Sequence, residues 1–138
     1  MNSSKKSRRI GVIINYLSII LMLAIFYVVR LGCLNKAFTA LEIIPLIAII
    51  ISFRYAFGKT NLWKMTHASL KKLDEREVQV VYKATSISYS LFVIITLVII
   101  YTFIFIGMGN IDALLAAGLL YIAHTLPAAI IAWNEKEV

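Results

Sequence analysis

"DEREVQVVYKATSISYSLFVIITLVIIYTFIFIG", residues 74–107, decides the fold. Its opening mixes acids and bases, yet after Lys83 no charged residue occurs before the closing glycine. A bilayer's hydrocarbon core of about 30 Å needs roughly 20 apolar residues in helical form, and this stretch supplies them with several turns to spare. Asp74, followed three residues later by Glu77 and then by Val78, Val80 and Val81, has the spacing of a capping box, with Asp in place of Ser or Thr. Glu75 and Glu77 also oppose the positive end of the helix dipole. A helix over 75–107 is therefore expected, roughly 50 Å long at ~1.5 Å per residue, with its charged first turns protruding from the membrane.

The rest of the chain agrees with that reading. Of 138 residues, 61% are hydrophobic and 15% charged, and the mean hydropathy is +0.86, which is incompatible with a water-soluble domain with a polar surface. Three further apolar segments lie at about 10–29, 38–57 and 111–133. Little chain remains outside them, so the expected fold is all-α: a single integral membrane four-helix bundle spanning 1–138. Gly107 and Gly109 should stop the third helix, with Asn110 capping the fourth and Asp112 in its first turn.

Basic residues set the expected topology. Lys5, Lys6, Arg8 and Arg9 precede the first segment, and the connection after the second carries Arg54, Lys59, Lys64, Lys71, Lys72, Arg76 and Lys83 with its flanks. The first hairpin loop has only Arg30 and Lys36, and "GMGN" before the fourth segment has none. The positive-inside rule gives an N-in/C-in, multi-pass arrangement in the cytoplasmic membrane. The net charge of +7 then reads as topology and as attraction to anionic lipid headgroups, and no nucleic acid is expected as partner. The first apolar run exceeds the roughly 7–15 residues of a signal h-region. "RLGC" places Arg30 where a lipoprotein box needs an apolar residue. Cys33 is the only cysteine, which excludes an intramolecular disulfide and a multi-cysteine metal site.

The cytoplasmic connection, 58–80, is long enough for structure of its own. Leu62, Trp63, Met65, Leu70 and Leu73 recur at helical spacing among lysines, the pattern of a helix lying in the interface. In the third segment Tyr82, Tyr89, Thr96 and Phe103 recur every seven residues, a stripe suited to packing through hydroxyls. Asn15 and Ser18 are expected to face the bundle in the first segment.

"LDEREVQVVYKATSISYSLFVIITL" resembles a stretch found in small prokaryotic inner-membrane proteins of the DUF2178 type, on Asp74, Glu75, Arg76, Glu77, Lys83 and Ala84. The resemblance covers about a quarter of the chain. It implies a four-helix membrane architecture, and it supplies no reaction and no catalytic residues.

Polar groups inside a bilayer are costly and often functional. Glu42 precedes Pro45 by three residues, and His124 precedes Pro127 by three, so "EIIP" and "HTLP" form a parallel echo. Glu42 reads either as a proton or cation ligand beside a kink, or as a headgroup-level carboxylate satisfied by Arg30, Lys36 or water. His124 lies ~19 Å from one end of its segment and ~14 Å from the other. It shares a face with Ala113, Ala117, Tyr121, Ala128 and Ala132, which should aim it into the bundle. There it would bond Tyr89, Ser90 or Thr96, or contact a ligand alongside Tyr121 and Tyr89. His67, the only other histidine, falls in the cytoplasmic connection, so a pair of axial haem ligands within the chain is not expected, and neither is a metal or another cofactor.

No P-loop, H-E-x-x-H or G-x-S-x-G motif is present, and the chain is not expected to be an enzyme. Two function classes follow. One is an accessory, regulatory or immunity-type protein, acting through helix contacts or a surface of Asp74, Glu75, Arg76, Glu77 and Lys83, on a membrane-protein partner or a second copy. The other is a small carrier or ligand-binding bundle using Glu42 and His124.

Overall fold

The computed structural model describes residues 5–134, all of whose regular structure is helical. Four helices are long and apolar enough to cross a membrane: α1 (Lys5–Arg30), α2 (Lys36–Gly58), α4 (Glu75–Ile106) and α5 (Ala113–Asn134). Between α2 and α4 lies a short helix, α3 (Leu62–His67). The chain divides into two units, the first reaching Thr60 and the second beginning at Asn61.

In the first unit α1 and α2 form an antiparallel hairpin whose seam is built from small and polar residues. Gly11 lies against Ala56 so closely that a Cβ at position 11 would stand 3.1 Å from the Ala56 Cβ. One turn on, the Asn15 amide donates to Ser52 Oγ at 3.0 Å and to the Ile49 carbonyl at 3.2 Å. The pairing of 11 with 56 and 15 with 52 is the antiparallel register. Asn15 and Ser18 are both buried, as their pattern suggested. Small residues let the helices approach, and the amide then finds partners it would lack in hydrocarbon.

α2 changes its winding twice. Residues Lys36–Glu42 are 3-10, Ile43–Phe53 are α, and Arg54–Gly58 are π. Pro45 has no N–H to offer the carbonyl four residues earlier, and the turn upstream of it is tightened. At the other end the Lys59 N–H donates to the Arg54 carbonyl at 2.9 Å, a widened turn that brings Ala56 and Phe57 into the core.

In the second unit α4 starts at the expected box. Glu77 N–H donates to Asp74 Oδ1 at 2.7 Å, and Asp74 N–H donates to Glu77 Oε2 at 3.1 Å. It stops at Gly107, which takes a left-handed φ of 69°. There the Gly107 and Met108 N–H groups donate back to Ile104 and Phe103, a Schellman ending. The cap of α5 differs from expectation: Asp112, not Asn110, accepts from the Leu115 N–H, at 2.8 Å. The helix starts at Ala113, so Asp112 sits where its carboxylate reaches the third N–H of the first turn.

The tyrosine stripe also lies elsewhere than expected. Val81, Ala84 and Ser88 form the buried face of α4, while Tyr82 and Tyr89 are 78% and 72% exposed. A strict seven-residue repeat drifts by about 20° per heptad on a straight helix. The stripe therefore begins well off the packing face and reaches its edge at Thr96 and Phe103, which are half-buried.

Candidate functional site

The residues that best combine chemistry with proximity are Trp63, His67 and His124, all in the second unit. α3 presents Leu62 and Met65 as buried anchors and packs on α5. Residues three and four apart share a helix face, so Trp63 and His67 lie together. Their rings stack at a centroid separation of 3.9 Å. Beyond His67 comes the His124 ring, 6.3 Å from it and inclined by only 9°.

Each imidazole is tethered to its own helix in the same way. His67 Nδ1 lies 3.0 Å from the Trp63 carbonyl and 3.0 Å from Thr66 Oγ1. His124 Nδ1 lies 2.9 Å from the Leu120 carbonyl. A carbonyl only accepts, so each Nδ1 is the donor in its bond to the helix. Both rings are exposed.

This arrangement corrects two expectations. His124 makes no bond to Tyr89, Ser90 or Thr96: its Nδ1 turns to its own helix, and Ser90 donates to Ser86. The His124 face is also divided, since Ala128 and Ala132 are buried whereas Ala113, Ala117 and His124 itself are exposed and Tyr121 is half-buried. The helix is packed at its Ala132 end and opens toward α3 and the surroundings at His124. The two histidines lie near one another because α3 packs along α5. Spacing within 58–80 indicated a helix, and nothing local indicated which helix it would meet.

Glu42 belongs to the first unit. It stands at the junction of the 3-10 and α turns, makes no side-chain cap, and is half-buried with Oε1 sealed from the surroundings and without a hydrogen-bond partner. Tyr89 stands out from α4, so it is not gathered with His124.

At the charged end of α4, Asp74, Glu75, Arg76 and Lys83 are exposed and Glu77 is half-buried. Arg76, Gln79, Lys83, Ile130, Ile131 and Asn134 line a cleft of about 450 Å³ between α4 and α5, polar at one end and apolar at the other. Its lining sets Lys83 level with Ile130 and Ile131. His124 is then about 10 Å further along α5, seven residues at ~1.5 Å each from Ile131.

Compared with family models, with curated proteins and with solved structures, the chain matches none.

Proposed function

We propose that this chain is a multi-pass protein of a prokaryotic cytoplasmic membrane, a four-helix N-in/C-in bundle of the DUF2178 type. On this reading it acts without catalysis, as an accessory, regulatory or immunity-type protein. Its working surface is the cytoplasmic end of α4, presented to a membrane-protein partner or a second copy. The observation that carries this reading is the length of α4. Its 32 residues make ~48 Å of helix, while the charge-free stretch from Ala84 to Ile106 already exceeds the ~30 Å of the hydrocarbon core. The turns from Glu75 to Lys83 are thus surplus to crossing. They are closed by their own capping box, and Glu75 and Lys83 are exposed beside it. Arg76 and Lys83 flank an amphiphilic cleft that suits an anionic headgroup above apolar walls.

A photo-crosslinking residue at position 79 tests the docking role in intact membranes. A discrete adduct is expected, lost when Asp74, Glu75 and Glu77 are all changed to Lys while the helical content of the purified protein is unchanged. Crosslinking to lipid alone, or an adduct indifferent to the charge reversal, refutes it.

A second reading, ligand binding at His124, is favoured by the facing imidazoles. Glu42 belongs to a different unit and is not required for it.

A further inference from the structure

We propose that the cleft between α4 and α5 is a site for one anionic phospholipid, whose phosphodiester headgroup lies between Arg76 and Lys83 and whose acyl chain runs along Ile87 and Ile130. This deepens the reading of that end of α4: it rests on α4 and α5 crossing the membrane, and it needs no protein partner.

Helical spacing builds the site. Residues three and four apart share a face, so Arg76, Gln79, Lys83 and Ile87 follow one another along the side of α4 that lines the cleft. Ile130, Ile131 and Asn134 line it from α5. The cleft holds about 450 Å³, within the roughly 300–1,000 Å³ of small-molecule sites. Ala84 and Ile131, 3% and 1% exposed, form its floor, whereas Lys83 and Asn134 are exposed at its rim.

Its charge has one sign. Arg76 and Lys83 line it, and among the described residues no Asp or Glu does. Glu75 and Glu77 stand one residue to either side of Arg76, about 100° round the helix from it, and Glu77 is engaged in the capping box. Arg offers a fork of donors matched to phosphate, and Lys a point charge. Seven residues at ~1.5 Å each set the two cations ~10 Å apart along the axis, a span that their long side chains close on one headgroup. Gln79 and Asn134 bring amide donors to the same end.

Depth selects a lipid over a soluble anion. Lys83 is the last charge on α4 before the apolar run, and the charge-free residues after it suffice to cross the hydrocarbon core, so Lys83 stands at headgroup level. Ile87, one turn deeper, and Ile130 on α5 then lie where the acyl chains begin. A free phosphate would leave this apolar half of the cleft against water, whereas a lipid fills both halves. Basic pockets between transmembrane helices bind anionic headgroups in this way, and each cation near the membrane surface contributes about fivefold in affinity.

Native mass spectrometry of the full-length chain, released from a non-ionic detergent, tests the site. Titrated with phosphatidylglycerol and phosphatidylcholine of identical acyl chains, the chain should retain one phosphatidylglycerol at a concentration roughly tenfold or more below that for phosphatidylcholine. Arg76→Gln and Lys83→Gln should each weaken that binding about fivefold, and together abolish the preference. Lys71→Gln with Lys72→Gln removes the same charge from outside the cleft and should leave the preference unchanged. Far-UV circular dichroism establishes that the variants fold. Should one unfold, phosphatidylglycerol with a photoreactive acyl chain decides on the parent chain, where label is expected at 84–87 or 130–134 and label elsewhere overturns the site. Equal retention of the two lipids, an equal loss in the 71/72 variant, or equal competition by glycerol phosphate without acyl chains also overturns it. The docking test changes Asp74, Glu75 and Glu77, none of which lines the cleft, so the two readings fail separately. A lipid adduct at position 79 without a protein one would remove docking and leave this site standing.

Discussion

Asn15 has no exposed surface, and its amide nitrogen donates to both Ser52 Oγ and the Ile49 carbonyl. Interhelical hydrogen bonds in membranes contribute about 0.6 kcal/mol on average and up to about 1.7. Asn15→Leu, which removes the amide and adds bulk to the seam, should lower the stability of the first unit by at least that much, read as an earlier midpoint in a detergent-denaturation curve. An unchanged midpoint would mean that Ser52 and Ile49 are satisfied without it. Gly11 acts through space, with Ala56 already at 3.1 Å from the position of a Cβ. Gly11→Val should cost about 1–3 kcal/mol as overpacking, and Ala56→Gly should recover part of it. A double-mutant cycle on the same curve measures the coupling, and additive losses would place the strain elsewhere. Asn15 was legible in the sequence because an amide in a hydrocarbon run must face protein. Its partner Ser52 was not, since the register between two apolar helices leaves no mark in either segment alone.

At the scale of the element, α4 shows what short-range chemistry can specify. Asp74, Glu77 and Gly107 each act within a few residues of themselves, and the helix begins and ends where their spacing indicated. Asp74→Ala should fray the first turn at a cost of about 1 kcal/mol, seen as faster amide exchange at Glu75–Val78 with the exchange of Ser88–Thr96 unaffected. Uniform loss of protection along the helix would show that the cap governs the whole span. The tyrosine stripe and α3 show the opposite case. A seven-residue period in Tyr82, Tyr89 and Thr96 stays on one face only if the helix supercoils to keep it in register, and the period does not say which face meets a partner: Tyr82 follows the buried Val81 by one residue and is exposed. The apolar residues of α3 read equally well as lying on lipid or on protein. Burial of Leu62 and Met65 and the meeting of His67 with His124 depend on contacts between residues far apart in the chain.

At the scale of the whole molecule, each unit is a helical hairpin, and that bears on topology more strongly than any single charge. α1 and α2 run antiparallel within the first unit, α4 and α5 within the second, and 59–74 joins them. If each long helix crosses once, Lys5, the 59–74 connection and Asn134 share one side of the membrane whatever the arrangement of the two hairpins. Cys33 and Asn110 then share the other. On the proposed reading, the lysines and arginines of the N-terminal segment and of 59–83 put the first side in the cytoplasm. Cys33 is exposed, so the native thiol is a reporter for the outer loop, and Lys72→Cys in a Cys33→Ser background reports on the connection. A membrane-impermeant maleimide applied to intact cells should label Cys33 and should label Lys72→Cys only after the membrane is opened. Labelling of both positions in intact cells would refute the arrangement. It would also remove the docking role of α4, whose argument needs its charged end in the cytoplasm.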